Sequence, residues 1–217
     1  GTVYSYSNQE ATLSAISSVP NCRYEVAGYI ESEHKTLLLQ KFGNDKVIFH
    51  DRLNQDNLRK LYLRSLIGVV VYDYQLNQGY KLGSYGTNKF FEYMEAGLPI
   101  ICTDYILWKE IIEEYKCGIC VKPGDIKALE LAINTINNDR LLAKEMGINS
   151  RKAAENRFNW GSENKKYLSV FKSLKQPEKV SVGYIGDLYK NILRLASGSA
   201  LAQGIPIVAY PILTRIY

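Results

Sequence analysis

The sequence predicts an α/β protein built on a parallel sheet with helices on both faces, and three observations carry that prediction. Short apolar runs alternate with stretches whose apolar residues recur every three or four positions, from the start of the chain to about Leu174. The run 67–72, Ile-Gly-Val-Val-Val-Tyr, is almost continuously apolar, as a strand covered on both faces must be. The helical stretches carry punctuation: Asp125 stands where an N-cap belongs, and Gly43 and Gly97 stand where helices close. Such alternation gives right-handed crossovers, and ligands of such sheets sit beyond the C-terminal ends of the strands.

In chain order, Val3 and Tyr4 read as a short strand, and 8–17 as a helix with Leu13 and Ile16 inward, broken at Pro20. A strand at 24–30, a helix at 32–40, a strand at 47–49, a helix at 54–65 and the strand 67–72 follow. The Tyr- and Gly-rich loop from Asp73 to Gly86 then lies at a strand end, and loops of that length in a compact domain usually serve function or move. Beyond it come a short helix, the strand 100–102, a helix at 107–115, the strand 118–121 and a helix capped by Asp125 and running to about Asn137. The last two helices, 140–157 and 160–174, carry Leu141, Leu142 and Met146, then Tyr167, Leu168 and Phe171, at spacings expected to pack across the sheet. Phe158-Asn159-Trp160 between them reads as a packing corner.

The chain has 217 residues, 46% hydrophobic and 23% charged, the balance of a globular protein with room for a sizeable core. Of the formal +5 charge, Lys175, Lys179, Lys190, Arg194 and Arg215 against Glu178 and Asp187 leave +3 beyond Leu174 and only +2 before it. That is no nucleic-acid footprint, so no nucleic-acid partner is expected. Cys117 and Cys120 are closely spaced, but a zinc site wants four ligands, and neither Cys22 and Cys102 nor His34 and His50 supply a second close pair. The cysteines therefore read as thiols on buried strands in a reducing compartment, with no metal and no cofactor. The chain opens at Gly1 in strand-like sequence with neither an initiator Met nor a signal peptide, which reads as a fragment of a cytoplasmic protein.

The organising stretch is Gly86-Thr87-Asn88-Lys89-Phe90-Phe91-Glu92-Tyr93-Met94-Glu95-Ala96-Gly97-Leu98-Pro99, followed by Ile100-Ile101-Cys102. Thr87 stands at an N-cap, and Asn88 and Lys89 open a helix whose free N–H groups and positive dipole end make an anion site. Phe90, Phe91 and Met94 bury one side and Glu92 and Glu95 share another. Gly97 closes the helix and Pro99 prevents its continuation. Glu92, one turn inside an anion-binding helix, suits hydrogen bonds from sugar hydroxyls attached to bound phosphates; the other reading is a solvated glutamate on an amphipathic helix.

This stretch resembles the donor-binding segment of retaining GT-B glycosyltransferases, whose usual form is close to Pro-Asn-Lys-Leu-Phe-Glu-Tyr-Met-Ala-Ala-Gly-Leu-Pro-Val-Ile. The likeness extends from about Gly1 to Leu174, with Cys117-Gly118-Ile119-Cys120-Val121 and Pro123-Gly124-Asp125 at the family's Cys-Gly strand and Pro-x-Asp turn. Phe158-Asn159-Trp160 resembles the aromatic corner before the family's last helix. The resemblance implies one Rossmann-like half of a GT-B fold over residues 1–174. It implies a nucleotide-diphosphate sugar donor as substrate, with its diphosphate at Thr87, Asn88 and Lys89 and its ribose on Glu92, beneath the loop that starts at Asp73. It further implies a sugar or lipid-linked acceptor brought by an N-terminal domain, in cell-surface polysaccharide or glycoconjugate synthesis. Two positions depart from the family. Ser84 stands where many of these enzymes carry a glutamate at the sugar, and Ser5-Tyr6-Ser7-Asn8-Gln9 lacks the Arg and Lys that often neutralise the diphosphate, which leaves Lys81 and Lys89 to share that charge. The alternative is a non-catalytic nucleotide-binding or scaffold module that keeps the fold without the donor site, and no catalytic residue is assigned.

From Val180 the character changes. Arg194 and Arg215 bracket 20 uncharged residues, 195–214, about one bilayer span at ~1.5 Å per residue. The run 187–217 resembles the first membrane segment of polysaccharide flippases. Residues 175–217 are therefore expected to form a linker and a separate helical apolar tail that contacts the inner face of a membrane, against the alternative that 182–185 and 205–209 add strands to the sheet.

Overall fold

The computed structural model describes residues 7–174, and the strand expected at 3–4 and the whole of the apolar tail lie outside the described residues. By backbone contact the chain divides into two units, Gly1–Gly83 with Lys89–Ala154, and Ser84–Asn88 with Glu155–Tyr217.

In the first unit, helix α1 (Gln9–Ser17) leads into strand β1 (Tyr24–Ala27), α2 (Ser32–Phe42), β2 (Val47–His50), α3 (Gln55–Arg64) and β3 (Gly68–Val70). Helix α4 (Asn88–Glu95), β4 (Ile100–Thr103), α5 (Ile106–Tyr115), β5 (Gly118–Val121), α6 (Ile126–Asn138) and α7 (Arg140–Asn156) continue the alternation, with Asn88 and the last two residues of α7 counted in the second unit. Local chemistry sets the helix ends. The Asn54 side chain accepts from the Asn57 N–H and the Asp125 side chain from the Ala128 N–H, each at 2.9 Å, which satisfies one orphan donor of α3 and of α6.

The strands pair in two parallel ladders, β1 with β2 in the register Tyr24↔Val47, and β4 between β3 and β5 with Ile100 opposite both Gly68 and Gly118. A single continuous sheet was the expectation. Among the described residues the strands form two separate ladders, β1-β2 and β3-β4-β5. All four residues of β4 are buried, as a central strand flanked on both faces requires.

Two apolar clusters fill the unit. Ala15, Ile16, Val71, Ile101, Val121, Leu129, Ile133 and Ile136 join α1, α6 and the β4–β5 ladder, and Leu13, Val26, Leu38 and Val47 join α1, α2 and the β1–β2 ladder. Each fully buried Ile or Leu contributes about 1.5–3 kcal/mol. Leu13 and Ile16 face inward as expected. Helix α7 follows the expectation only in part: Met146 packs against the core, but Leu141 is 82% exposed, and the buried face is made of Ala143, Gly147, Ser150, Ala153 and Ala154. The reason is close approach. A Cβ on Gly147 would stand 2.3 Å from the Gly97 carbonyl oxygen, and the Ser150 hydroxyl bonds the Leu98 carbonyl at 2.7 Å, so the helix lies too near the α4–β4 turn for leucines.

In the second unit, α8 (Trp160–Leu174) forms as expected, but Leu168 is exposed and Trp160 is 58% exposed with its ring 6.4 Å from Tyr167 on its own helix. Trp160 is thus no packing corner. Among the described residues no helix is long and apolar enough to cross a membrane.

Candidate functional site

Helix α4 is anchored by its apolar side. Phe90 and Met94, one turn apart, are fully buried, and the Phe90 ring stacks on Trp108 of α5 at 5.2 Å. At the C-terminal end the Leu98 N–H reaches the Tyr93 carbonyl and the Gly97 N–H the Met94 carbonyl, each at 3.0 Å, with Gly97 at φ +71°. This pair of bonds is a Schellman closure, which only a residue at ease in the left-handed region makes without strain. With the apolar side fixed, Glu92 must project from another side of the helix.

There Glu92 is half-buried and meets α3. The Tyr62 hydroxyl donates to Glu92 Oε2 at 2.7 Å, a short bond of the kind made to a charged acceptor. The Tyr62 ring packs edge-on against Tyr93, with centroids 5.4 Å apart and planes at 85°. Burial, then the hydrogen bond and charge of Glu92, push the Tyr62 hydroxyl well above its ordinary range, so it is a neutral donor at any working pH. Lys89 is half-buried, one turn before Tyr93; burial lowers its ammonium from the usual range, while the nearby Glu92 carboxylate opposes that shift. Beside Glu92 lies an open cleft of about 420 Å³ between α3, α4 and α7, lined among others by Gln55, Leu58, Arg59, Tyr62 and Glu95.

The loop that begins at Asp73 is tied down on its α5 side. Asp73 Oδ1 accepts from the Asn8 side-chain amide at 2.9 Å, and its carbonyl accepts from the Tyr105 hydroxyl at 2.6 Å. The Tyr74 hydroxyl donates to Asp104 at 2.5 Å, and burial followed by that bond pushes it up to about 12. A 3-10 turn at Leu76–Gln78 brings the chain round so that the Lys81 and Leu82 carbonyls accept the Ile106 and Leu107 N–H groups, each at 3.0 Å. The loop thereby caps α5 with its own backbone. Lys81 is exposed with its ammonium 5.6 Å from the centre of the Tyr74 ring.

Of the residues singled out in the sequence, Asp73, Lys81, Lys89 and Glu92 belong to the first unit, where Lys89 and Glu92 act on each other and Asp73 and Lys81 belong to the loop cluster. Ser84, Thr87 and Asn88 belong to the second. Ser84 Oγ accepts from the Gly86 N–H at 2.9 Å, Thr87 is buried, and Asn88 is exposed as the first residue of α4. Sequence reasoning missed Tyr62, because 30 residues separate it from Glu92 and no periodicity marks the pair. Cys102 and Cys117 are buried as expected, whereas Cys22 is half-buried and lies outside the strands. Cys102 and Cys120 are opposed on β4 and β5 with sulfurs 3.7 Å apart, and burial raises the Cys102 thiol well above its ordinary range and the Cys117 thiol to about 11.

The cleft runs along α3 toward the C-terminal end of α4, where Glu95, Ala96, Gly97 and Arg151 complete its lining. Residues 1–153 match the family described as Glycosyl transferases group 1, so this chain belongs to that family. No curated protein matches the chain. Among solved structures, it is similar to a glycosyltransferase from Rickettsia africae (19% identity, TM-score 0.68, covering 82% of this chain and 47% of that one). It is also similar to a sucrose-phosphate synthase from Thermosynechococcus elongatus (20%, 0.64, 78% and 42%). A third is a mutant of S. aureus TarM in complex with fondaparinux, alpha-GlcNAc-glycerol and UDP (16%, 0.61, 74% and 31%). At these identities the likeness is one of fold, and the chain spans less than half the length of each of these three structures.

Proposed function

We propose that residues 1–174 are the donor-binding half of a retaining glycosyltransferase that takes a nucleotide-diphosphate sugar, in the synthesis of a cell-surface polysaccharide or glycoconjugate on the cytoplasmic side of the membrane. The observation that carries the reading is Glu92, an acceptor-only group held by Tyr62 at the edge of a cleft, one turn inside a helix whose start favours anions. In this reading the diphosphate lies at the start of α4, where free N–H groups and the dipole meet it, and Lys89 supplies a positive charge. A half-buried ammonium already pushed toward deprotonation gains most from an incoming anion, so donor binding raises its affinity for the proton. Glu92 accepts from the ribose hydroxyls. Lys81 is the further donor-side group of the first unit, Asp73 the loop's anchor, and no cofactor takes part. The acceptor sugar or lipid-linked acceptor comes from a second, N-terminal domain.

The competing reading, a scaffold module without a donor site, draws on Ser84 and on the absence of Arg and Lys at 5–9. Calorimetric titration with UDP and with GDP decides. Binding of one nucleotide, weakened roughly 10- to 100-fold by Glu92→Gln and by Lys89→Ala as expected for loss of a charge-assisted bond, supports the enzyme. A folded chain that binds neither supports the scaffold.

A further inference from the structure

We infer that Tyr62 is a positioning residue for donor recognition: by donating its hydroxyl to Glu92 Oε2 it fixes the carboxylate so that the other oxygen meets the ribose hydroxyls. The inference rests on the proposed donor reading and adds a residue from another helix to it. A glutamate on a helix surface has three rotatable side-chain bonds, and freezing them on binding costs affinity. Here they are frozen before any ligand arrives. Glu92 Oε2 is held at 2.7 Å, whereas Oε1 has no hydrogen-bond partner among the described residues and lies on a side chain that lines the cleft.

The holder is itself held. Tyr62 stands in the last turn of α3, its ring edge-on to Tyr93, and Tyr93 in turn lies over Gly68 of β3 so closely that a Cβ there would come within 2.4 Å of the ring. The missing side chain at Gly68 makes room for Tyr93, Tyr93 sets the plane of Tyr62, and the Tyr62 hydroxyl aims one carboxylate oxygen. A phenol suits the task because it presents a single O–H at the end of a rigid ring and, remaining neutral, has no charge that would neutralise the carboxylate.

The test compares UDP and GDP with their 2′-deoxy counterparts, titrated by calorimetry into the full chain and into Tyr62→Phe, which removes one oxygen and keeps the ring. The natural chain is expected to prefer the ribonucleotide about tenfold, and Tyr62→Phe to lose most of that preference while binding the 2′-deoxynucleotide as the natural chain does. In a Glu92→Gln background, Tyr62→Phe should change the preference no further, a coupling that a merely structural tyrosine would not produce. Should Tyr62→Phe fail to fold, Tyr62→Trp, which keeps an aromatic but lacks the hydroxyl, is expected to show the same loss. Ribose preference undiminished in the folded variant overturns the role of Tyr62 and leaves the donor reading intact; absence of nucleotide binding by the natural chain overturns both.

Discussion

Two glutamates show how the same side chain is put to different uses by its neighbours. Glu92 has one hydrogen-bond donor and an open cleft, whereas Glu25 on β1 is enclosed by three partners: Arg23 at 2.9 Å, His50 at 2.8 Å and Arg64 at 2.5 Å. Burial pushes the Glu25 carboxyl up, but the hydrogen bonds from His50, Arg64 and Arg23 outweigh it and hold the group below the usual carboxylate range. A carboxyl depressed in the folded state contributes stability that is present above its unfolded pKa, about 4, and is lost as pH falls through that value toward the folded one. Because the two arginines are half-exposed the network is screened, so Glu25→Gln is expected to cost about 1 kcal/mol at pH 7, or roughly 2–4 °C in Tm. Melting curves from pH 7 to pH 3 check this. The gap between the two proteins should close as the medium becomes acid, and a gap that stays constant to pH 3 means the carboxylate was never the stabilising group.

At the scale of elements, the turn from α4 into β4 is a tight junction in the first unit. Gly147 of α7 packs directly on the Gly97 carbonyl, and Ser150 bonds the Leu98 carbonyl, so Gly147→Ala drives a methyl group against backbone that cannot yield. A loss of about 1–3 kcal/mol follows, read as a lower urea midpoint at unchanged slope. Gly68→Ala acts through a side chain instead. Its methyl displaces Tyr93, and with it Tyr62, so the variant should remain folded yet bind UDP with a smaller preference over 2′-deoxy-UDP. The same junction shows what the sequence could disclose. Helix ends at Gly43, Gly97 and Asp125 were legible because capping is local, and the burial of Phe90 and Met94 followed from spacing alone. The inward face of α7 was not legible. Leucines at helical spacing outrank small residues in any apolar count, and only the distance between two backbones reveals that Gly147 and Ser150 face in while Leu141 faces water. Tyr62 escaped for a similar reason, since a bond between α3 and α4 is a property of how helices lie on a sheet.

At the scale of the molecule, the two tryptophans stand in opposite environments. Trp108 is fully buried, stacked on Phe90 and edge-on to Tyr105 at 4.8 Å and Tyr72 at 6.0 Å, and so stands at the centre of the aromatic layer that holds α4 against α5. Trp160 opens α8 in the second unit and is more than half exposed. An indole closed in by aromatic and aliphatic side chains emits to the blue and is inaccessible to a polar quencher, whereas one facing water emits to the red and is quenched freely. Trp160→Phe should therefore leave a blue-shifted emission that acrylamide barely quenches, and Trp108→Phe a red-shifted, readily quenched one. Because Trp108→Phe also removes about half of a buried ring system, it should destabilise the first unit by roughly 1–3 kcal/mol, against a change within about 0.5 kcal/mol for Trp160→Phe. Should the emission of Trp160→Phe prove as quenchable as free tryptophan, Trp108 is not in the core, and the packing that presents Glu92 to the cleft would have to be redrawn.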